Sequence, residues 1–462
     1  MRNAIFAIAL AAAGCATVPP IDPKAIPAAP QSFKEGDGRW TIAPPAESQP
    51  RGEGWRAFGD PVLDDLVARA DRGNTDVRVA AARLRQARAL LQASEADQSP
   101  HVDASASGGR QLGLPFNPVK PATLYAAGVG ASYEIDLFGR LAQATRAAEL
   151  DAAAAEGLLQ SARLAVQADV AQAYLAIRAL DEERALVRRT VVAYRETLDL
   201  IERRYRAGDV AELDVSRSRT EVAATESEAL ALDRRRAQLE HALAVLVGEV
   251  PSSFRLAEAP WSTRLPVIPA GVPSTVLTRR PDVSAAEAQM LAAQARVGVA
   301  KAAWFPSISL TASGGYASPQ IDDLFRWSAR AWGVGALLSL PVFDGGRRAA
   351  GVESASGGMD AAVAQYRERV LVAFRDVEDQ LSALRLLREQ SEAQERAVRS
   401  AARTTALSDA RYRNGLVSQL ELLDAQRSEL RNRREAVTVR AAQYQATVGL
   451  VRALGGGWGQ AS

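Results

Sequence analysis

Between Leu124 and Phe138 two kinds of residue take turns along the chain. Tyr125, Ala127, Val129, Ala131, Tyr133, Ile135 and Leu137 occupy one set of positions, and Gly128, Gly130, Ser132, Glu134 and Asp136 occupy the other. A period of two predicts a strand with one oily face and one small or acidic face. Its partner, Val102 to Gly108, alternates more weakly, and a segment rich in Pro and Gly (Gly113, Pro115, Pro118, Pro121) joins the two. The arrangement returns later in the chain. Ile308, Leu310, Ala312 and Tyr316 are set against Ser307, Ser309, Thr311 and Ser313, and Trp332, Val334, Ala336, Leu338 and Leu340 against Gly333, Gly335 and Ser339. Each segment is about the 9 to 11 residues that a tilted strand needs to cross a bilayer. Tyr125, Tyr133, Tyr316, Phe325, Trp327 and Trp332 near the strand ends fit an interfacial aromatic girdle.

After each strand pair the period changes. From Gly139 to Tyr205 apolar residues such as Leu159, Val166, Val170, Ala173, Ile177 and Leu180 fall at steps of 3, 4 or 7 with no Pro among them. That spacing predicts one long helix with a heptad seam and a left-handed supercoil. About 67 residues at about 1.5 Å each give roughly 100 Å of helix, too long for a globular core. Gly346 to Tyr412 repeats the pattern through Tyr366, Ala373, Val377, Leu384, Leu387 and Val398. Each long helix ends at a glycine, Gly208 or Gly415, and a second helix returns from it to Gly248 or to Gly455-Gly456-Gly457.

The chain is therefore written twice. Asp76-Val77 recurs as Asp282-Val283 and Ser107-Gly108-Gly109 as Ser313-Gly314-Gly315, an offset of about 206 residues. Arg204-Tyr205-Arg206-Ala207-Gly208 answers Arg411-Tyr412-Arg413-Asn414-Gly415 at an offset of about 207. A unit this long is no solenoid repeat; it suits two equivalent halves of one architecture. The predicted organisation is a signal peptide (1–14), an extended Pro- and Gly-rich tether (15–60), a first repeat (61–250), a connecting segment (251–272), a second repeat (273–456) and a short tail (457–462). Within the first repeat, strands are expected at about 101–110 and 124–138, the long helix at 139–206 and its return at 211–248. The second repeat holds a helix at 282–304, strands at about 306–317 and 331–343, the long helix at 346–413 and its return at 418–454.

Composition narrows the function. Over 462 residues the charges nearly cancel at +2, which leaves no stripe for nucleic acid. The single cysteine, Cys15, closes Leu10-Ala11-Ala12-Ala13-Gly14-Cys15 behind a short apolar run, the pattern of a lipoprotein cleavage site. Disulfides and cysteine catalysis are excluded for the rest of the chain. No stretch past the signal is apolar enough for a transmembrane helix, so a membrane would be crossed with strands. Four strands cannot close a barrel, because an open edge in lipid leaves backbone groups unpaired, and the chain must pool strands with copies of itself. Three copies would supply twelve strands and a matching ring of helices. His101 and His241 have neither Cys partners nor carboxylates at metal-site spacing, so no metal or cofactor is expected.

Several stretches together carry a specific resemblance: YEIDLFGR from Tyr133, AGDVAELDVSRSRTE from Ala207, RRPDVSAAEA from Arg279, VGVAKAAWFPSISLTASGG from Val297, LSLPVFDGGRR from Leu338, AFRDVEDQL from Ala373 and NGLVSQLELLDAQRSEL from Asn414. In order and at this spacing they resemble the TolC-like outer-membrane factors, in particular the OprM/NodT lipoprotein branch that serves resistance-nodulation-division (RND) efflux pumps. The resemblance implies a mainly α protein with a membrane β-barrel: a homotrimer whose twelve strands cross the outer membrane and whose twelve helices form a periplasmic tunnel. It further implies a passive conduit for small molecules such as drugs, docked on a periplasmic adaptor and an inner-membrane RND transporter, with Cys15 carrying lipid. The adaptor-contact tips would be Arg204, Tyr205, Gly208 and Asp209 with Gly415, Leu416 and Val417. Asp214 and Tyr412 match places where relatives latch neighbouring helices closed. Well-known relatives carry Arg or Asp where this chain has Val417, so Arg411 or Arg413 would have to supply the charge. Glu421 and Asp424 lie about one turn apart on one helical face and match lumen-facing carboxylates; three copies of each would form acidic rings that attract cations.

Two other readings share parts of this pattern. A conduit for metal cations or secreted polypeptide would have the same fold, since the transporter chooses the cargo. A periplasmic coiled-coil scaffold or adaptor would share the heptads but has no use for strands with an oily face. An envelope hydrolase would need a nucleophile, base and orienter, and no such set stands out.

Overall fold

The computed structural model describes residues 18–30, 32–35, 54–112, 121–266 and 279–456. Cys15 and the signal segment, 31 and 36–53 of the tether, 113–120 between the first two strands, 267–278 and the tail lie outside the described residues. The elements run α1 (Pro61–Gly73), α2 (Thr75–Ala96), β1 (His101–Gln111), β2 (Ala122–Ile135), α3 (Arg140–Arg206), α4 (Glu212–Leu246), α5 (Pro281–Ala302), β3 (Ser307–Ser318), β4 (Arg330–Ser339), α6 (Arg347–Arg413) and α7 (Gln419–Ala453). The two halves match in kind and length: α3 and α6 each have 67 residues, and α4 and α7 each have 35.

The residues group into two compact units. Of the described residues, one gathers those within Ala82–Gly157 and Ser284–Arg369 together with Val18 to Pro27. It holds a single antiparallel sheet in the order β1-β2-β3-β4, so the repeats meet at the β2–β3 pair. Register turns the alternation seen in the sequence into two faces. Val102 opposes Ala131, Ala131 opposes Ala312 and Ala312 opposes Val334, so the oily positions of all four strands share one side. Ser105 opposes Gly128, Gly128 opposes Gly315 and Gly315 opposes Ala331, which puts small residues on the other side.

Two strands stop earlier than the alternation suggests, β2 at Ile135 and β4 at Ser339. The reason lies in the turns that follow. The Leu137 N–H closes back onto the Ile135 carbonyl at 2.9 Å, and Pro341 has no N–H to offer a ladder. An aspartate then takes the opening N–H groups of each long helix. Asp136 accepts from the Ala142 N–H at 2.7 Å, and Asp344 accepts from the N–H groups of Gly346 and Arg348 at 3.0 and 3.2 Å. Glu134 grips Arg140 through both carboxylate oxygens at 2.8 and 2.9 Å, and Phe138 stacks on Phe305 with ring centres 4.8 Å apart.

The second unit gathers Ala28–Ala81, Leu158–Val283 and the residues from Val370 onward. Its buried residues include Val170, Tyr174, Ile177, Leu180 and Val187 of α3, Leu232 and Leu243 of α4 and Val448 and Val451 of α7, and Leu180, Val187 and Leu232 pack into one cluster. Extended chain is fastened to these helices by charge. Buried Asp181 receives Arg178 and Arg184 from its own helix at 3.3 Å each and Arg236 of α4 at 2.8 Å. The same arginines hold the connecting segment: Arg178 donates to the Ala257 carbonyl at 2.8 Å and Arg236 to the Leu256 carbonyl at 2.7 Å.

Asp60 is the other joint. It caps α1 by accepting from Val62 and Leu63, and it accepts the hydroxyls of Tyr174 and Thr263 at 2.7 Å each. Burial alone would raise its pKa, but these donors outweigh burial and hold it below the ordinary value of 3.8. Burial, with Asp60 adding to it, pushes the Tyr174 hydroxyl up to about 12.

A group whose folded pKa is depressed stabilises the fold above its unfolded pKa and loses that contribution as pH falls through the folded value. Acid melting followed by circular dichroism in detergent should therefore show an Asp60 contribution that vanishes below the normal carboxylate range. Asp60→Ala should cost roughly 3–5 kcal/mol near neutral pH, as a lost cap plus two lost buried charge-assisted bonds, and Asp60→Asn less.

Candidate functional site

At the end of α3 the Arg203, Arg204 and Tyr205 carbonyls accept from the N–H groups of Ala207, Asp209 and Gly208 at 3.1, 2.9 and 2.9 Å. At the end of α6 the Tyr412 and Arg411 carbonyls accept from Gly415 and Leu416 at 3.0 and 2.9 Å. The bond from the residue after the glycine back to the carbonyl five before it is the Schellman closure, and it needs a left-handed residue at the glycine. Gly208 sits at φ +85° and Gly415 at φ +71°. The two hairpin tips are thus the same turn built twice. They differ in their caps, since Ser418 accepts from the Glu421 N–H at 3.4 Å while Ala211 offers no side chain.

Around these turns the residues singled out from sequence separate into buried and exposed sets. Tyr412 is 7% exposed with the Arg204 guanidinium 5.6 Å from its ring centre, whereas Tyr205, its counterpart on the other tip, is 43% exposed. The Tyr412 hydroxyl is buried without a hydrogen-bond partner among the described residues. Asp214 lies in the first turn of α4 with Arg217 at 3.9 Å. Arg411 reaches Glu421 at 3.8 Å and Arg413 pairs with Asp409 at 3.0 Å, so both cations already have acids on their own hairpin. Leu416 is 68% exposed; Val417 is half-buried. Glu421 and Asp424 are exposed, and each has an arginine beside it, Arg411 for the first and Arg427 at 3.7 Å for the second.

The contacts that tie α4 to α7 were not singled out from sequence. Arg427 pairs with Glu221, and Arg434 pairs with Glu228 while also gripping Glu183 of α3 at 2.7 Å. Closer to the tips the Gln419 amide donates to the Ser218 hydroxyl, which donates in turn to the Asp214 carbonyl at 2.9 Å. Hydrogen bonding to Glu221, ahead of the opposing effect of burial, holds the Arg427 pKa above its ordinary value. Tyr194 of α3, pushed up to about 12 by burial and then by Glu221, borders the same groove of about 710 Å³. A signal was present: Glu221 and Glu228 are one heptad apart, as are Arg427 and Arg434. Pairing them requires knowing which helices are neighbours.

In the sheet unit, oily residues stand in solvent. Trp332 is 77% and Phe343 91% exposed, in company with Trp327, Val334, Leu338 and Val342. Arg330 lies over the Trp327 ring at 4.5 Å and Arg348 over Trp304 at 4.7 Å, pairs of a kind that suit a boundary between lipid and water. β1 and β4 are the sheet's edges, each paired on one side only. Among the described residues no helix is long and apolar enough to cross a membrane, and no His, Cys, Asp and Glu cluster could hold a metal.

A sheet with an oily face and open edges, on a chain that also carries two long helical hairpins, defines a class: outer-membrane channels with a helical extension. The outer membrane efflux protein family matches residues 66–249 and again 272–456, one match per repeat, and the chain belongs to that family. The solvent efflux pump outer membrane protein SrpC of Pseudomonas putida is 35% identical over 406 residues, 87% of this chain and 86% of that protein. The pyoverdine export outer membrane protein OpmQ of Pseudomonas aeruginosa is 35% identical over 414 residues, 87% of each. The solved structure of the outer-membrane channel OprN superposes with a TM-score of 0.87 at 30% identity, covering 96% of this chain and all of that one. The chain is accordingly an outer-membrane channel component of an efflux system, reaching from the outer membrane into the periplasm.

The two tip glycines provide a clean test of the turn geometry. Nothing lies within 4 Å of where a Cβ would stand at Gly208 or Gly415, so an alanine there meets backbone strain alone. Gly208→Ala and Gly415→Ala should each cost about 1–2 kcal/mol, the left-handed penalty for an L-residue, and asparagine less. Thermal melts and the rate of proteolytic nicking at the tips measure it.

Proposed function

We propose that three copies of this chain close into one passive conduit, a twelve-stranded barrel in the outer membrane continued by twelve helices through the periplasm. The observation that carries this reading is the sheet: four strands with an oily face and two unpaired edges. In lipid those edges need partners, and identical copies provide them by joining β4 to β1 around a ring. Cys15 would add a lipid anchor to the barrel. The chain performs no chemistry in this reading, because it contributes a path and leaves the choice of cargo and the energy to an inner-membrane RND transporter. The hairpin tips, with exposed Leu416 and Tyr205 beside Arg204, Gly208, Asp209, Gly415 and Val417, meet the periplasmic adaptor. Glu421 and Asp424 face the passage as acidic rings, softened by Arg411 and Arg427. Small organic molecules are the cargo class supported by the names of SrpC, a solvent efflux pump protein, and OpmQ, a pyoverdine export protein.

Asp214 and Tyr412 act in this reading as the latch, with the buried Tyr412 hydroxyl finding its partner when the hairpins of the ring come together. Light scattering in detergent should give a trimer mass; a soluble monomer that needs no detergent would sink the proposal. In planar bilayers Tyr412→Phe and Asp214→Ala should each raise basal current about fivefold, the effect of losing one hydrogen bond of about 1 kcal/mol in the closed state. Unchanged current would remove the latch and leave the conduit standing.

A further inference from the structure

The repeat fixes how the sheet continues from one copy to the next. In the trimeric conduit proposed above, on which this inference rests, β4 of one copy pairs with β1 of its neighbour as β2 pairs with β3 inside the chain. Gly128-Val129-Gly130-Ala131 recurs as Gly333-Val334-Gly335-Ala336, a shift of about 205, and Ser107-Gly108-Gly109 as Ser313-Gly314-Gly315, a shift of about 206. Carried over with these shifts, the observed pairs name the register of the joint between copies. Ala131 with Ala312 becomes Ala336 with Ala106, Ala127 with Tyr316 becomes Trp332 with Arg110, and Tyr125 with Ser318 becomes Arg330 with Leu112, the second residue of each new pair lying in the neighbouring copy. The faces agree, since Ala106 and Ala336 both stand on the oily side of the sheet.

Every strand meets a helix at one end only: α2 leads into β1, β2 into α3, α5 into β3 and β4 into α6. The other end carries the connections between strands, and because the helices reach into the periplasm it faces the exterior. Arg110 and Arg330 stand at that end on the oily side. Arg110 closes the series Val102, Ala104, Ala106 and Gly108, and Arg330 lies directly across from Tyr316. A guanidinium there is tolerable only at headgroup depth, near the limit of the hydrocarbon. Both arginines are exposed, and Arg110 has no ion pair among the described residues. In the joint they become diagonal neighbours about 7–8 Å apart, with Trp332 beside both. Two like charges so placed repel unless an anion lies between them. Of the acids in the turn between β3 and β4, Asp323 is taken by Arg326 at 2.9 Å, and Asp322 pairs with neither Arg110 nor Arg330 among the described residues. Arg330 gives one N–H to the Trp327 carbonyl at 3.0 Å and has further donors to offer. Exposed rings of Phe325, Trp327 and Trp332 surround the pair.

We propose that each joint between copies binds the phosphate of an outer-leaflet glycolipid, a phosphorylated and multiply acylated sugar of the lipid A type. Arg330 of one copy and Arg110 of the next hold the phosphate, and Trp327 and Trp332 lie against the sugar and the first carbons of its acyl chains. No single copy contains a complete site. The occupant follows from the surroundings: acyl chains continue down the oily face, which a free phosphate would leave unused, and a phospholipid of the periplasmic leaflet meets the opposite end of the strands. A bound phosphate cancels the repulsion across the joint, so the lipid fastens neighbouring copies from outside.

The test titrates the delipidated protein in detergent with bisphosphorylated lipid A, with native mass spectrometry to count bound lipid and thermal melting to follow the trimer. About three lipids per trimer and a raised melting temperature are expected. Arg110→Gln and Arg330→Gln, both at exposed positions, should leave the trimer mass unchanged and each weaken binding about tenfold. Lipid A stripped of its phosphates should bind the parent protein as weakly as intact lipid A binds the variants. Equal binding of the stripped and intact lipids would overturn the proposal, as would a loss confined to one of the two variants, which would put the site within a single copy. Phosphatidylglycerol bound as tightly as lipid A would overturn the choice of occupant. A trimer that takes up no lipid A would overturn the site altogether, whereas a monomer by light scattering would bring down the trimeric reading itself.

Discussion

Unpaired backbone groups at the edge of a sheet are tolerable in water and costly in lipid, and most of this protein follows from that one constraint. The sheet has an oily face from Val102 across to Val334, so it belongs against acyl chains, yet β1 and β4 each leave one row of N–H and C=O groups open. A longer chain could have closed the ring alone. This one carries two strand pairs and two very long helical hairpins, and the duplication gives β2 and β3 the same relation inside the chain that β4 and β1 would have between copies. In the proposed ring the internal repeat is thus a rehearsal of the joint between copies, made once inside a single chain.

The duplicated parts have drifted in an uneven way. Where local backbone geometry rules, the halves stay alike: Asp136 and Asp344 both hold the first N–H groups of a long helix, and the tips at Gly208 and Gly415 close with the same hydrogen bonds. Where contacts reach across helices, they diverge. Arg178 of the first repeat holds the Ala257 carbonyl, and its equivalent Arg385 holds the Glu35 carboxylate at 2.6 Å. The same position along a long helix fastens a piece of extended chain in each half, but a different piece by a different chemistry. Local geometry has few solutions, whereas a guanidinium can find an acid or a carbonyl in many directions.

That contrast also explains what can be read without a structure. The period-two strands, the change to heptads after Gly139 and Gly346 and the turns at Gly208 and Gly415 are written in neighbouring residues, and they stand where the alternation and spacing lead one to expect them. Strand ends are less legible, because Asp136 and Asp344 look like further members of the alternating series until they are seen capping helices. The joints are less legible still. Asp60 collects Tyr174 and Thr263 from positions more than one hundred residues away, and nothing near Asp60 in the chain points to either. At the candidate site Tyr412 and Asp214 could be singled out by resemblance, yet the arginines expected to replace the charge missing at Val417 turn out to be paired with Asp409 and Glu421 on their own hairpin. Sequence supplies the charges; only the packing says which of them are already spoken for.

The face of the sheet opposite the oily one has a consequence for traffic. Apart from His101, Asp103, Leu124, Glu134 and Leu337, it is made of residues such as Ser105, Ser107, Gly128, Ser313, Gly315, Gly333 and Gly335, which offer little to wrap a guest. A molecule sliding over such a surface meets shallow, nearly uniform attractions and has nowhere to lodge. In the proposed conduit, where this face lines the passage, diverse compounds pass it at similar speed, and discrimination among them falls to what lies upstream.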